Sequence, residues 1–406
     1  MLNIEEAKRC LKCKIPKCVQ GCPINNRIPE FIEQAKEGKY EEAYKIIREV
    51  SPLGAICGRV CPHENQCQGS CVQGIKSEPI KIGKIESEIC DWARKNKIKI
   101  NYNIEENNKK IAIIGAGPSG IACAVDLRKL GYDVTIYERE NYLGGILMYG
   151  IPEYRLPKEL VTEVIQDLLD LGIKVELNTI LSSKVLEKNE SKCDKKFVTI
   201  ESLFNEGYKA IYLGIGSETS NILPIEGKEL NGVYGANEFL KESRECKGKK
   251  VIVIGGGNVA MDSARVAQKE GADVTVVYRK QKENMPANKD EIEAANHDGV
   301  KFIFGTNIIK ILGNEKVNKV QCDTGLELDV DQIIMAIGST PNKKYIDERL
   351  ELTEQGLIKI NETYETSIEN VFAGGDLVQK KATVCMAIKN GKEAGKAINK
   401  KICNMK

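Results

Sequence analysis

Two stretches of this chain match each other at an offset of 140 residues, and that internal repeat restricts the fold more than any other feature. IAIIGAGPSGIACAVDLRKLGYDVTIYERE (residues 111–140) runs against VIVIGGGNVAMDSARVAQKEGADVTVVYRK (residues 251–280). Each copy reads as a short apolar strand, a glycine turn, an amphipathic helix and a second strand, the opening βαβ unit of a dinucleotide fold. Two such units in one chain imply two dinucleotides.

In the first copy Gly115, Gly117 and Gly120 form GxGxxG directly after the strand 111–114. A side chain at the first two would block the tight turn and the approach of a pyrophosphate to the helix N-terminus, and the third lets helix and strand pack closely. Glu138 follows about twenty residues on, at the end of the second strand, where it can accept hydrogen bonds from an adenosine ribose. A plain turn is the competing reading of these glycines, and the spacing to Glu138 argues against it. Further on, VFAGGD (residues 371–376) is another strand running into glycines and an acid, followed by a helical pattern whose start can face a flavin and favour negative charge there. Asp376 would then bind the cofactor's sugar-phosphate chain. The second copy carries Gly255, Gly257 and Ala260 and ends in Tyr278, Arg279 and Lys280 where the first ends in Tyr137 and Glu138, shifted by one residue. Two bases in place of an acid favour a 2′-phosphate, hence NADP(H) over NAD(H); the alternative is a pair of solvated charges after a strand.

Nine of the fifteen cysteines fall within the first 90 residues, which marks a separate N-terminal module. The odd count argues against a disulfide framework and for ligation of metal. One group is Cys10-x2-Cys13-x4-Cys18-x3-Cys22-Pro23; the other is Cys57-x3-Cys61-Pro62, then Cys67-x3-Cys71. Runs ending in Cys-Pro follow the two-cluster ferredoxin pattern, in which the last cysteine of a run serves the other cluster. Zinc is the competitor for closely spaced thiolates. Between the groups, Ile28, Phe31, Ile32 and Ala35, then Tyr40, Ala43, Tyr44 and Ile47, recur at helical spacing, with Gly38 and Pro52 as stops. The module is expected to be helical, with its cysteines on the turns. The polar run at 101–110 reads as a linker.

Lys plus Arg (60) nearly cancel Asp plus Glu (58), which disfavours nucleic acid and anionic membranes as partners. The acids in MLNIEEAKRC do not suit a signal peptide, and no long apolar run occurs, so a cytoplasmic location is expected. The lysine-rich stretch 389–406 reads as a solvated helix face. Only His63 and His297 are present, so imidazole chemistry has little to draw on. A disulfide reductase would need a cysteine pair beside its flavin, and neither LGGILMYGIP nor GGGNVAMDSA has one. Cys123 lies on an apolar helix face, and Cys193, Cys246, Cys322, Cys385 and Cys403 are isolated in sequence, so all six are expected to be structural.

The strings AKRCLKCKIPKCVQGCP, CGRVCPHENQCQGSC, GAGPSG, LGGILMYGIPEYRLPK, GGGNVAMDSAR, VVYRK, AIGSTPN and VFAGGD together resemble the small-subunit (beta-chain) family of NADPH-dependent glutamate synthase and related iron-sulfur flavoprotein oxidoreductases. The resemblance covers essentially the whole chain. It implies an α/β flavoprotein with two dinucleotide-binding domains, preceded by an all-α ferredoxin-like iron-sulfur domain: 1–105 for the clusters, 106–218 and 339–406 for FAD, and 219–338 for an inserted NADPH domain. It implies one [4Fe-4S] cluster on Cys10, Cys13, Cys18 and Cys71, and a second on Cys22, Cys61 and Cys67. Glu86 is the candidate fourth ligand there; Cys57 and, more distantly, Cys90 are the other contenders. FAD is expected against Gly115, Gly117, Gly120, Glu138, Gly145, Asp376 and Thr383, with NADPH on the second glycine motif and on Arg279 and Lys280. The implied activity is electron input, from NADPH through FAD and two [4Fe-4S] clusters to a large partner subunit that forms glutamate from 2-oxoglutarate and glutamine. The alternative is the large subunit of a ferredoxin-linked or electron-bifurcating NAD(P) transhydrogenase.

Overall fold

A computed structural model describes residues 4–182, 195–242, 244–380 and 383–404 of the chain. Cys193 lies outside the described residues. The chain divides into two compact units, one of residues 1–148, 155–216 and 341–406, the other of residues 149–154 and 217–340.

The larger unit begins with the cysteine-rich helices. Ile28–Lys36 and Tyr40–Val50 form where the apolar spacing predicts, and Gly38, at φ +74°, turns the chain between them. They pack with Gly54–Val60 and Ile82–Lys95 around Phe31, Ile47, Ile56, Ile85 and Ile89, all fully buried. Full burial of such a side chain stabilises by about 1.5–3 kcal/mol. Gly58 permits the close approach of the last two helices, because a Cβ there would lie 2.7 Å from the Gly83 carbonyl oxygen. Not every cysteine sits on a turn as expected: Cys18, Cys57 and Cys90 lie within helices, with Cys22 and Cys61 at the ends of two. A helix interior accepts Cys as a small apolar residue, so the apolar pattern overrides the tendency of ligands to sit on loops. Arg48 is buried and donates to Tyr44 Oη at 2.7 Å and to Asp167 Oδ2 at 2.8 Å, tying this module to the helix Lys158–Leu169.

The rest of the larger unit is built on a parallel five-stranded sheet, in the order Val371–Ala373, Tyr208–Leu213, Lys110–Ile114, Asp133–Tyr137 and Lys174–Glu176. The first glycine-turn helix, Pro118–Lys129, packs along the C-terminal helix Val384–Asn404. Gly391 makes this contact possible: a Cβ there would lie 2.1 Å from the Ser119 carbonyl oxygen. Gly391→Val is therefore expected to destabilise by about 1–3 kcal/mol, read as a lower thermal midpoint; an unchanged midpoint would contradict this packing. The lysine-rich face is less solvated than expected, since Lys392 pairs with Asp126 at 3.1 Å and Lys401 with Glu365.

The smaller unit carries its own parallel sheet, in the order Lys301–Phe304, Asp273–Tyr278, Lys250–Ile254, Gln332–Met335 and Val233–Gly235. An antiparallel three-stranded sheet, Ile308–Gly313, Val317–Cys322 and Glu327–Asp329, covers it. The chain enters and leaves this unit side by side, Thr219–Ser220 pairing antiparallel with Ser339–Thr340. Among the described residues no helix is long and apolar enough to cross a membrane.

Candidate functional site

The first glycine turn is shaped by close backbone contacts. Gly115 has φ +99°, and its N–H donates to the Tyr137 carbonyl at 2.8 Å. A Cβ on Gly120 would lie 1.9 Å from the Gly115 carbonyl oxygen, so only glycine lets this helix start so near the strand. At Gly117 a Cβ would meet nothing nearer than the Gly214 oxygen at 4.0 Å. That open space before a helix N-terminus fits a pyrophosphate. Gly145, at φ +52°, backs directly onto Gly117, and the Gly144 N–H donates to the Ala116 carbonyl at 2.9 Å.

Glu138 is buried at the end of the second strand, where its carboxylate accepts the N–H of Ala116 at 2.7 Å and of Glu140 at 2.9 Å. Burial raises its pKa against the pull of those two bonds. Two of its roughly four acceptor sites are thereby used, leaving capacity for ribose hydroxyls. Across the sheet, the Gly374 N–H donates to the Leu213 carbonyl, and Asn390 Oδ1 accepts the Gly375 N–H at 3.1 Å. Desolvation pushes the Asp376 carboxyl up to about 6. Thr383 Oγ1 accepts the Met386 N–H at 3.2 Å, so this hydroxyl caps the C-terminal helix. Gly214, Tyr212 and Asn390 brace this site and escaped sequence reasoning; the glycine in YLGIG was the available signal.

In the smaller unit the turn repeats. Gly255 has φ +139°, and a Cβ there would lie 2.3 Å from the Ala336 carbonyl oxygen; at Gly257 a Cβ would meet nothing within 4 Å. Ala260 is fully buried, its methyl accommodated where the first copy needs glycine. The Gly255 N–H donates to the Val277 carbonyl, as that of Gly115 does to Tyr137. This register brings Tyr278 to the position of Glu138, so no acid stands at the ribose end of this strand. Arg279 and Lys280 follow, both exposed, with no acidic partner among the described residues.

The cysteines form two nests. Cys10, Cys13, Cys18 and Cys71 line one pocket with Pro16, Pro29 and Ile80. Burial pushes the Cys18 thiol up to about 11. Cys22, Cys61 and Cys67 are buried in a second, inner nest with Cys57 and Glu86. Glu86 is only 6% exposed and accepts the Asn26 Nδ2–H at 2.9 Å, with no ion pair to a cation among the described residues. Desolvation, then the neighbouring Cys22 and Cys385, raise its pKa well above the carboxylate range. A buried carboxylate beside thiols fits an iron ligand, since a cation there offsets its desolvation. Cys57, one helical turn before Cys61, accepts the Ser51 hydroxyl at 3.8 Å. Cys90, one helical turn past Glu86, is buried. Among the described residues no three His, Cys, Asp or Glu side chains converge on a single metal ion; thiolates of a four-iron cluster bind separate irons and stand further apart.

Cys385, isolated in sequence, is buried in the first turn of the C-terminal helix, in the neighbourhood of Cys22, Cys57 and Cys61. Remoteness along the chain hid this proximity, which the packing of the C-terminal helix creates. Cys123, Cys246 and Cys322 are buried and Cys403 is exposed.

Residues 109–394 match the family described as pyridine nucleotide-disulphide oxidoreductase, and residues 2–98 match dihydropyrimidine dehydrogenase domain II, 4Fe-4S cluster. Fold and matches together define an FAD- and NAD(P)-binding oxidoreductase with a 4Fe-4S domain at its N-terminal end. The glutamate synthase [NADPH] small chain of Escherichia coli K12 is 33% identical, over 97% of this chain and 90% of its own length. The NAD-dependent dihydropyrimidine dehydrogenase subunit PreT of the same organism is 34% identical, over 98% and 94%. Mycobacterium tuberculosis FprA in complex with NADPH shares the fold at 17% identity, with a TM-score of 0.61 over 73% of this chain and 85% of its own. The chain belongs to the family of glutamate synthase small chains and related NAD(P)H-dependent iron-sulfur flavoprotein oxidoreductases.

Proposed function

We propose that this chain is the electron-input subunit of an NADPH-dependent glutamate synthase, passing electrons from NADPH through FAD and two [4Fe-4S] clusters to a large partner subunit. The observation that carries the choice of NADPH is the second strand end, with Tyr278 where the first copy has Glu138, then exposed Arg279 and Lys280. It favours the NADPH-using relative over the NAD-dependent one, which is similar to an equal degree.

In this reading residues 106–218 and 339–406 hold FAD, through Gly115, Gly117, Gly120, Gly145, Glu138, Asp376 and Thr383. Residues 219–338 hold NADPH, through Gly255, Gly257, Ala260, Arg279 and Lys280. Residues 1–105 hold the clusters, one on Cys10, Cys13, Cys18 and Cys71, the other on Cys22, Cys61, Cys67 and Glu86. Bound FAD supplies two-electron acceptance from nicotinamide and one-electron release. The protein's part is orientation: the open cradles at Gly117 and Gly257 admit pyrophosphates to helix N-termini, and Glu138 fixes the adenosine end. No protein acid or base is required for the hydride step.

Anaerobic purification from the native host tests the proposal. The protein should be brown, NADPH should bleach its flavin, and a large amidotransferase-bearing partner should co-purify and support glutamine-dependent NADPH oxidation. A pyrimidine-reducing or small flavin-containing partner in its place would refute the glutamate synthase assignment.

A further inference from the structure

The two glycine turns differ in what the second strand lays across them. In the first, the Glu138 carboxylate accepts the N–H of Ala116 at 2.7 Å, and Ala116 is fully buried. In the second, Tyr278 stands at the position of Glu138, and Gly256 at that of Ala116. The Tyr278 ring lies so close to Gly256 that a Cβ there would come within 2.7 Å of two ring atoms. Alanine is thus accommodated beside the acid and excluded beside the ring. The same side chain reaches past the turn, because Tyr278 Oη donates to the Asn284 carbonyl at 2.8 Å. Asn284 belongs to a strap, residues 281–288, whose far end returns to the same glycine turn. There the Ala287 N–H donates to the Gly256 carbonyl at 3.1 Å, and the Asn288 N–H to Asn258 Oδ1 at 2.9 Å. On the other side the Gly305 N–H donates to the Lys280 carbonyl at 3.1 Å.

We propose that Tyr278 is a positioning residue for the 2′-phosphate of NADPH: its ring and hydroxyl pin the strap 281–288 to the second glycine turn and so fix the course of the backbone that carries Arg279 and Lys280. The inference rests on the NADPH reading above and deepens it by naming what holds the basic pair in place. Arg279 and Lys280 are both exposed, and ordering such long side chains on a ligand costs conformational entropy. A backbone already fastened before, between and after them lowers that cost, since a pre-ordered segment loses less freedom on binding. With both ends on one turn, residues 278–288 form a compact surface loop of the kind that carries binding functions. Tyrosine at this place therefore serves twice. It removes the carboxylate that would repel a phosphate at the ribose end of the strand, and it supplies the anchor for the strap.

Calorimetric binding of 2′,5′-ADP and of 5′-ADP to the full-length protein tests this without turnover. The wild type should prefer 2′,5′-ADP. Tyr278→Phe keeps the ring and removes the hydroxyl; it should weaken 2′,5′-ADP by roughly 2- to 10-fold, the worth of one hydrogen bond, and leave 5′-ADP unchanged. Gly256→Ala installs the residue of the first turn and displaces the ring, so it should produce a loss of the same selectivity and at least the same size. A merely structural role would instead lower the thermal midpoint and both affinities together. Equal falls for the two ligands in either variant, or unaltered 2′,5′-ADP binding in Tyr278→Phe, would overturn the proposal. A wild-type protein that binds the two ligands equally would defeat the choice of NADPH itself.

Discussion

Charge reversal at Arg279 should cut kcat/KM for NADPH by roughly 10- to 100-fold, since a charge-assisted hydrogen bond to phosphate is worth about 1.5–3 kcal/mol and each 1.4 kcal/mol is about tenfold. The loss should fall mainly on KM, because the 2′-phosphate is remote from the reacting carbon and is held equally in ground and transition states. NADH lacks that phosphate, so its use should change little in Arg279→Glu. Adding Lys280→Glu should deepen the NADPH defect. Steady-state assays with an artificial electron acceptor, run for both nucleotides, provide the check. The prediction depends on the register that brings Tyr278, and not Arg279, to the place of Glu138. Equal losses with the two nucleotides would show that the basic pair does not read the phosphate.

Removing one thiolate from either nest should have the second large effect. On the two-cluster reading proposed above, Cys18→Ser and Cys61→Ser should each lower iron content from about eight per chain to about four. Cys18 lines the pocket with Cys10, Cys13 and Cys71, so its loss should spare the inner nest, and Cys61→Ser should do the reverse. Flavin reduction by NADPH should survive in both, because the dinucleotide cradles contain none of these cysteines. Transfer to the partner subunit should fail in both. Iron analysis and stopped-flow bleaching of the flavin separate these outcomes. A Cys61→Ser protein with full iron would place the ligand elsewhere, and Cys57, buried one helical turn before Cys61, is then the first candidate.

Much of the fold was legible because its strongest signal is local. A glycine turn between a strand and a helix fixes a βαβ unit within about thirty residues, and the repeat supplied two of them. The parallel sheets that grow from 111–114 and 251–254 follow from that unit. The helices at 28–36 and 40–50 follow from equally local spacing. Cysteine spacing led to the outer nest, since three of its four members lie within nine residues and the fourth closes a short motif. What sequence hid is long-range. Cys385 shows no periodicity or companion that points to Cys22 and Cys61, and its approach depends on glycines that let two helices pack closely. Asn26, which holds Glu86, was likewise silent, because a side-chain hydrogen bond across sixty residues leaves no mark on either local pattern.

The C-terminal helix has a bearing on how such proteins can be taken apart. It lies along the helix of the first glycine turn and also supplies one wall of the inner thiol nest. A fragment cut at the polar stretch 101–110 would carry that nest with its wall missing, open to oxidants and to loss of sulfide. Grafting the cysteine-rich module onto a foreign reductase therefore calls for transplanting the distal helix with it, as a single transferable cassette.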